Sequence, residues 1–188
     1  MAFIANPRRD ASPTISGFVF QVNLTILRWL ELQEGEHLEL ECGEDIDTVQ
    51  SGLDDDTATE TRLLEQIKAR SSRSLTLKSE EALQALANFC GHRAANPTAH
   101  LKFRYITTAS SGVEQGWDRP EPGIETWTAL QRGQYDEATR RDAISALRTL
   151  LKSATRPEKV SEEAWQALQL VLAADDDAQL IEIILAFE

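Results

Sequence analysis

Two short stretches carry the residue types needed for chemistry on a phosphodiester. One is Glu39-Leu-Glu41-Cys-Gly-Glu44-Asp45-Ile-Asp47, and the other is Leu63-Leu-Glu65-Gln66-Ile67-Lys68. Both read as β-structure. Side chains alternate across a strand, so Glu39 and Glu41 share one face, opposite Leu38, Leu40 and Cys42. Asp45 and Asp47 share a face of a second strand, and Gln66 and Lys68 share a face of a third. If the strands are neighbours, one sheet face gathers carboxylates, an amide oxygen and an ammonium. Hard oxygen ligands of this kind suit Mg²⁺, or Mn²⁺ in its place. A lysine beside them can orient the attacking water or offset charge building on phosphorus.

The rest of the chain must position these groups. Its 188 residues suit one domain with a substantial core, residues 1–188 as a unit. No apolar run approaches a membrane span, and the first residues lack the pattern of a secretory signal. Two cysteines, Cys42 and Cys90, are too few for a disulfide framework or a zinc site. A cytoplasmic protein is the expectation. The net charge of −12 argues against a surface that binds nucleic acid everywhere. It leaves room for a nuclease whose metal neutralises its own acidic site. Arg62, Lys68, Arg70, Arg73 and Lys78 lie close together in the sequence. The acidic triplets 54–56 and 175–177 read as solvated turns.

Residues 1–12 are expected to form an arm. A helix follows to about Gln33, with Ser12 or Thr14 as its cap, a stripe of Ile15, Phe18, Val19, Val22, Ile26, Leu27 and Leu30, and Gly35 as its end. Gln21 is a polar residue on this helix that could reach the acids. Ser79 caps a second helix, expected to end near Gly91 with His92 at its C-terminus. Residues 101–108 form the clearest strand, with Leu101, Phe103 and Tyr105 on one face. The last third is helical over 124–130, 136–152 and 161–173. Residues 181–187 suit either a buried edge strand or a helix. Trp29, Trp127 and Trp165 are expected in the core. The fold class is therefore α/β (α+β): a central mixed sheet flanked by helices over 13–110, completed by mostly helical residues 111–188.

The order helix, acid-bearing strand, aspartate strand, Gln66-x-Lys68 strand, helix, strand resembles the core of the PD-(D/E)xK nuclease superfamily. More narrowly it resembles the N-terminal double-stranded DNA endonuclease domain of bacterial antiphage effectors. The matching pieces are Ser16-Gly-Phe-Val-Phe20-Gln21, Glu41-x-x-Glu44-Asp45-Ile46-Asp47, Glu65-Gln66-Ile67-Lys68, the helix from Glu80 to Phe89, and Phe103-x-x-Ile-Thr107-Thr108. The resemblance implies a restriction-endonuclease-like core and Mg²⁺-dependent cleavage of double-stranded DNA. It gives Asp45 the metal-binding role, with Asp47 the competing assignment. Gln66 stands where many relatives carry an acid and Lys68 takes the lysine role, with Glu41 and Gln21 in support. Asp45, Gln66 and Glu41 would hold the metal, while Arg70, Arg73 and Lys78 would grip the DNA backbone. A homo-oligomer is expected, since cutting both strands takes two copies. So is a sensor or ATPase domain or subunit; a membrane partner is not. The alternative is a module of the same fold without catalysis, motivated by the charge and by Gln66.

Overall fold

The computed structural model describes residues 12–50, 60–69 and 74–188. Four strands form one mixed sheet in the order β1-β2-β3-β4. They are β1 (Glu36–Leu40), β2 (Ile46–Gln50), β3 (Thr61–Lys68) and β4 (His100–Thr107). The first three pair antiparallel, and β3 runs parallel to β4. A parallel neighbour requires a crossover. Helix α2 (Glu80–Ala95) lies within the 69–99 connection between β3 and β4. Helix α1 (Ser12–Glu31) precedes the sheet, and α3 (Gly123–Gln131), α4 (Glu137–Lys152), α5 (Glu162–Ala173) and α6 (Ala178–Ala186) follow it. The expected α/β class with a mixed sheet, flanking helices and a helical C-terminal third is therefore present.

The sheet is dressed differently on its two faces. Leu64 of β3 and Phe103 of β4 are register partners and face α2, where they join the buried cluster of Leu83, Leu86, Phe89, Leu147, Leu151, Leu168, Leu172 and Ile184. Phe187 stacks on Phe103 with ring centroids 4.7 Å apart, and the Trp127 indole donates to the Phe187 carbonyl at 2.9 Å. The choice between strand and helix at 181–187 resolves as helix to Ala186, after which Phe187 bridges to Phe103. Helix α2 runs past Gly91 to Ala95 instead of ending there. A Cβ on Gly91 would sit 3.3 Å from Ala164 on α5, so this glycine lets the two helices approach and does not stop the chain. Ser79 is the N-cap residue, but its hydroxyl accepts from the Thr76 amide, outside the helix.

The other face of the sheet carries α1, and here the expectation is corrected. Trp29 is exposed, not core, and so is the apolar stripe around it. Thr14 lies two residues inside the helix and does not cap it. The inward side of α1 holds Gln21, Leu24, Thr25 and Arg28, which are half-buried. Arg28 donates to the fully buried Glu65 at 2.7 Å. A buried carboxylate without a cation is costly, so the one basic residue of the helix decides which side turns inward.

Candidate active site

The candidate residues meet where β2 stops short of β3. The β2–β3 ladder ends at the pair Ile46–Glu65, while β3 continues to Lys68. The next amide on that edge, Ile67, donates to Asp45 Oδ2 at 2.6 Å. Asp45 therefore lies just outside β2, not within a strand as expected, and its carboxylate replaces the missing backbone acceptor. Gln66 and Lys68 flank Ile67 in sequence, so they lie on the last residues of β3, which Asp45 joins at the Ile67 amide. Gln66 is 6% exposed, and its Oε1 has no hydrogen-bond partner among the described residues. A buried amide oxygen left unpaired costs about 1–3 kcal/mol, so this atom calls for a partner. Lys68 is half-buried, and among the described residues its ammonium makes no hydrogen bond or ion pair.

Asp47 does a different job from Asp45. It is fully buried, accepting from the Gly43 amide at 2.8 Å through Oδ2 and from the Glu44 amide at 3.0 Å through Oδ1. Arg62 Nη1 lies 3.4 Å from Oδ2. Both oxygens are thus engaged, whereas Asp45 commits one. Asp47 ties the turn that carries Glu41 and Asp45. Gly43 is needed beside it, because a Cβ there would meet Asp47 Oδ2 at 2.7 Å and Leu64 at 2.9 Å. Asp47→Ala leaves two amides without acceptors. We expect it to lower unfolding stability by about 2–4 kcal/mol in urea titration. A loss under about 0.5 kcal/mol would remove this role from Asp47.

Glu41 follows β1 with φ of 56°, the one left-handed non-glycine backbone among the described residues. Such a conformation costs on the order of 1–3 kcal/mol and collects at functional sites. Gln21 of α1 donates to Glu41 Oε1 at 2.9 Å, and the Glu41 amide meets the Asp45 carbonyl at 3.4 Å. The supporting pair is thereby linked to Asp45 through backbone. Its hydrogen bond lies at the surface, unlike the buried Gln66.

The basic residues divide. Arg70 and Arg73 lie outside the described residues, as does the acidic triplet 54–56. Lys78 is exposed and donates to the Ser153 hydroxyl at 3.1 Å. Arg62, counted by sequence with the cationic cluster, is taken up by Glu39 at 2.6 Å, by Asp47 and by Glu60.

Two groups near the site were named from the sequence without their charged partners. Glu65 is fully buried between Arg28 Nε at 2.7 Å and Arg104 Nη1 at 3.0 Å. Its signal was available: an acid between Leu63 and Ile67 on a strand face must find cations. His92, in the last turn of α2, sits 3.6 Å from Glu44, close enough for an ion pair but long for a hydrogen bond. Glu44 raises the histidine's pKa above its ordinary 6.5, with burial opposing. The folded state then holds the proton more tightly than the unfolded chain. The stabilisation is fully present below pH 6.5 and lost as pH rises through the elevated value. The melting-temperature gap between wild type and His92→Gln should therefore be wider at about pH 5.5 than at about pH 8.5. An equal gap at both would rule out the pairing.

Among the described residues, no three or more His, Cys, Asp or Glu side chains form a group able to hold a metal. Such a count omits the Gln66 amide oxygen. Mg²⁺ commonly takes one or two carboxylates, keeps several waters and shares substrate phosphate; Asp45 offers one carboxylate with a single oxygen committed, and Gln66 an unpaired amide oxygen. Among the described residues no helix is long and apolar enough to cross a membrane. No family model, curated protein or solved structure matches the chain.

Proposed function

We propose that the chain is a metal-dependent endonuclease acting on double-stranded DNA with little sequence preference, the effector activity its motifs resemble. The observation that carries this reading is the buried, unpartnered Gln66 Oε1 on the end of β3 that Asp45 joins at the Ile67 amide. Asp45 and Gln66 would hold Mg²⁺ or Mn²⁺, which when bound would activate water and offset charge on the scissile phosphate. Asp45 is fixed in place by the Ile67 amide. Lys68 is free to orient the attacking water or to meet developing negative charge. Asp47 and the Gln21–Glu41 pair hold the turn in register with α1. Arg70, Arg73 and Lys78 would contact the backbone without reading sequence.

Nicking of supercoiled plasmid in Mg²⁺ or Mn²⁺ tests the reading, with chelator as the control. Chelator-sensitive nicking that disappears in Asp45→Asn and Lys68→Ala supports it. Nicking that survives both substitutions moves the site elsewhere. A wild type that binds duplex DNA but leaves it intact in either metal, with and without a candidate sensor or ATPase partner, favours the non-catalytic module.

A further inference from the structure

Helix α1 turns its least polar side to solvent. Ile15, Phe18, Val19, Val22, Ile26, Trp29 and Leu30 fall within about a third of the helix circumference at 3.6 residues per turn. They are between 38% and 73% exposed. From Thr14 to Glu31 no polar residue falls within that arc. From Ser12 to Leu27 the helix has no charged side chain, and Arg28 points the other way, to Glu65. The polar side of the helix is the one committed to its own sheet, through Gln21 and Arg28.

We infer that this face is where two copies of the chain meet, α1 against α1 about a two-fold axis. Three observations select a second copy as the occupant. The first is contiguity. Seven large apolar side chains, between 38% and 73% exposed, lie side by side along the helix, and a contiguous exposed apolar patch marks an interaction surface. The second is charge. At −12 two copies repel one another over most of their surfaces. A two-fold interface must be complementary to itself, which an arc without charge satisfies. The third is spacing. Ile15, Val19, Val22, Ile26 and Trp29 step by four, three, four and three, the seam along which two helices interlock.

Other occupants fit less well. Phosphate backbones need cations, which the arc lacks. An anionic lipid surface would be met by a strongly acidic protein whose helix carries a single arginine on its polar side. Pairing also has a consequence for the site. The same helix holds Glu41 and Glu65 on its inner side, so two copies joined through α1 carry two candidate sites tied to one helix pair. The inference about pairing does not depend on catalysis, and its readout is mass.

The test is sedimentation of the purified 188-residue chain at micromolar concentration, for wild type, Val22→Lys, Ile26→Glu and the control Leu170→Glu. Lysine and glutamate favour helix, and both sites are exposed, so α1 should persist, as circular dichroism would verify. Wild type and Leu170→Glu, altered at an exposed apolar site on α5, should sediment at twice 21.0 kDa. Each α1 variant should sediment as one chain, its association weakened by about 100-fold or more, because a buried unpaired charge is placed against its own copy. A wild type at single-chain mass overturns the inference. So do α1 variants that keep the doubled mass with α1 folded. A single-chain wild type that co-floats with anionic vesicles overturns it in favour of a lipid surface.

Discussion

Lys68→Ala is expected to reduce metal-dependent plasmid nicking by on the order of 10²–10³-fold, the loss seen when one charge-stabilising donor leaves a transition state. Stability should move by less than about 0.5 kcal/mol, because the ammonium makes no contact with the described residues that the folded state would miss. Asp45→Asn should remove at least as much activity. The asparagine keeps an oxygen for the Ile67 amide, so the fold is retained while the charge is lost. The more discriminating change is Gln66→Glu. Without metal, a carboxylate forced into this buried position near Asp45 should destabilise the chain. With Mg²⁺ it becomes a stronger ligand, so metal should raise the variant's melting temperature by more than the wild type's. The check is thermal unfolding with and without Mg²⁺. Equal metal shifts would separate Gln66 from metal binding, and unchanged nicking in Lys68→Ala would remove the lysine from catalysis.

Much of the sheet was legible because period-two alternation is local. The pattern from Leu63 to Lys68 put Gln66 and Lys68 on one face, and the structure has them there. What alternation could not supply is where a strand stops. Asp45 and Asp47 look equivalent at a spacing of two. They differ because β2 begins between them, leaving Asp45 to serve the Ile67 amide and burying Asp47 under its own turn. Gly91 misled for a related reason. A glycine late in a helix reads as a stop, but its meaning here is the approach of Ala164, a residue far away in sequence.

Helix α1 departs from expectation at Trp29, which is exposed and not core. Its apolar period is clear in the sequence, and an apolar stripe ordinarily faces the core. Orientation, however, depends on what the opposite surface demands. The sheet face beneath α1 carries Glu65 and Arg104, which want a charged or polar helix side. No single segment contains that information, since Arg28, Glu65 and Arg104 are separated by tens of residues. The unused apolar stripe is therefore a surface and not a core, and that difference is what makes a second copy its expected occupant.

Removing Arg28 should be among the most damaging single changes for stability. Glu65 is fully buried and splits its two oxygens between Arg28 and Arg104. Both arginines keep some exposure, so water can serve either one alone; the carboxylate has no such recourse. Breaking a buried pair by deleting one partner commonly costs about 3–5 kcal/mol. Here Arg104 remains, so Arg28→Ala is expected to cost about 2–4 kcal/mol. It should also loosen α1 and with it the Gln21–Glu41 contact. Taking Arg104 away as well leaves Glu65 bare. The double variant should then bind a proton on folding, so its stability should fall as pH rises, opposite to the usual carboxylate behaviour. Replacing all three with apolar residues of similar size, Arg28→Met, Glu65→Leu and Arg104→Met, should restore most of the loss, because the uncompensated charge is gone. Urea unfolding across pH reads each case. If Arg28→Ala costs less than about 0.5 kcal/mol, the charge triad is not what turns the polar side of α1 toward the sheet.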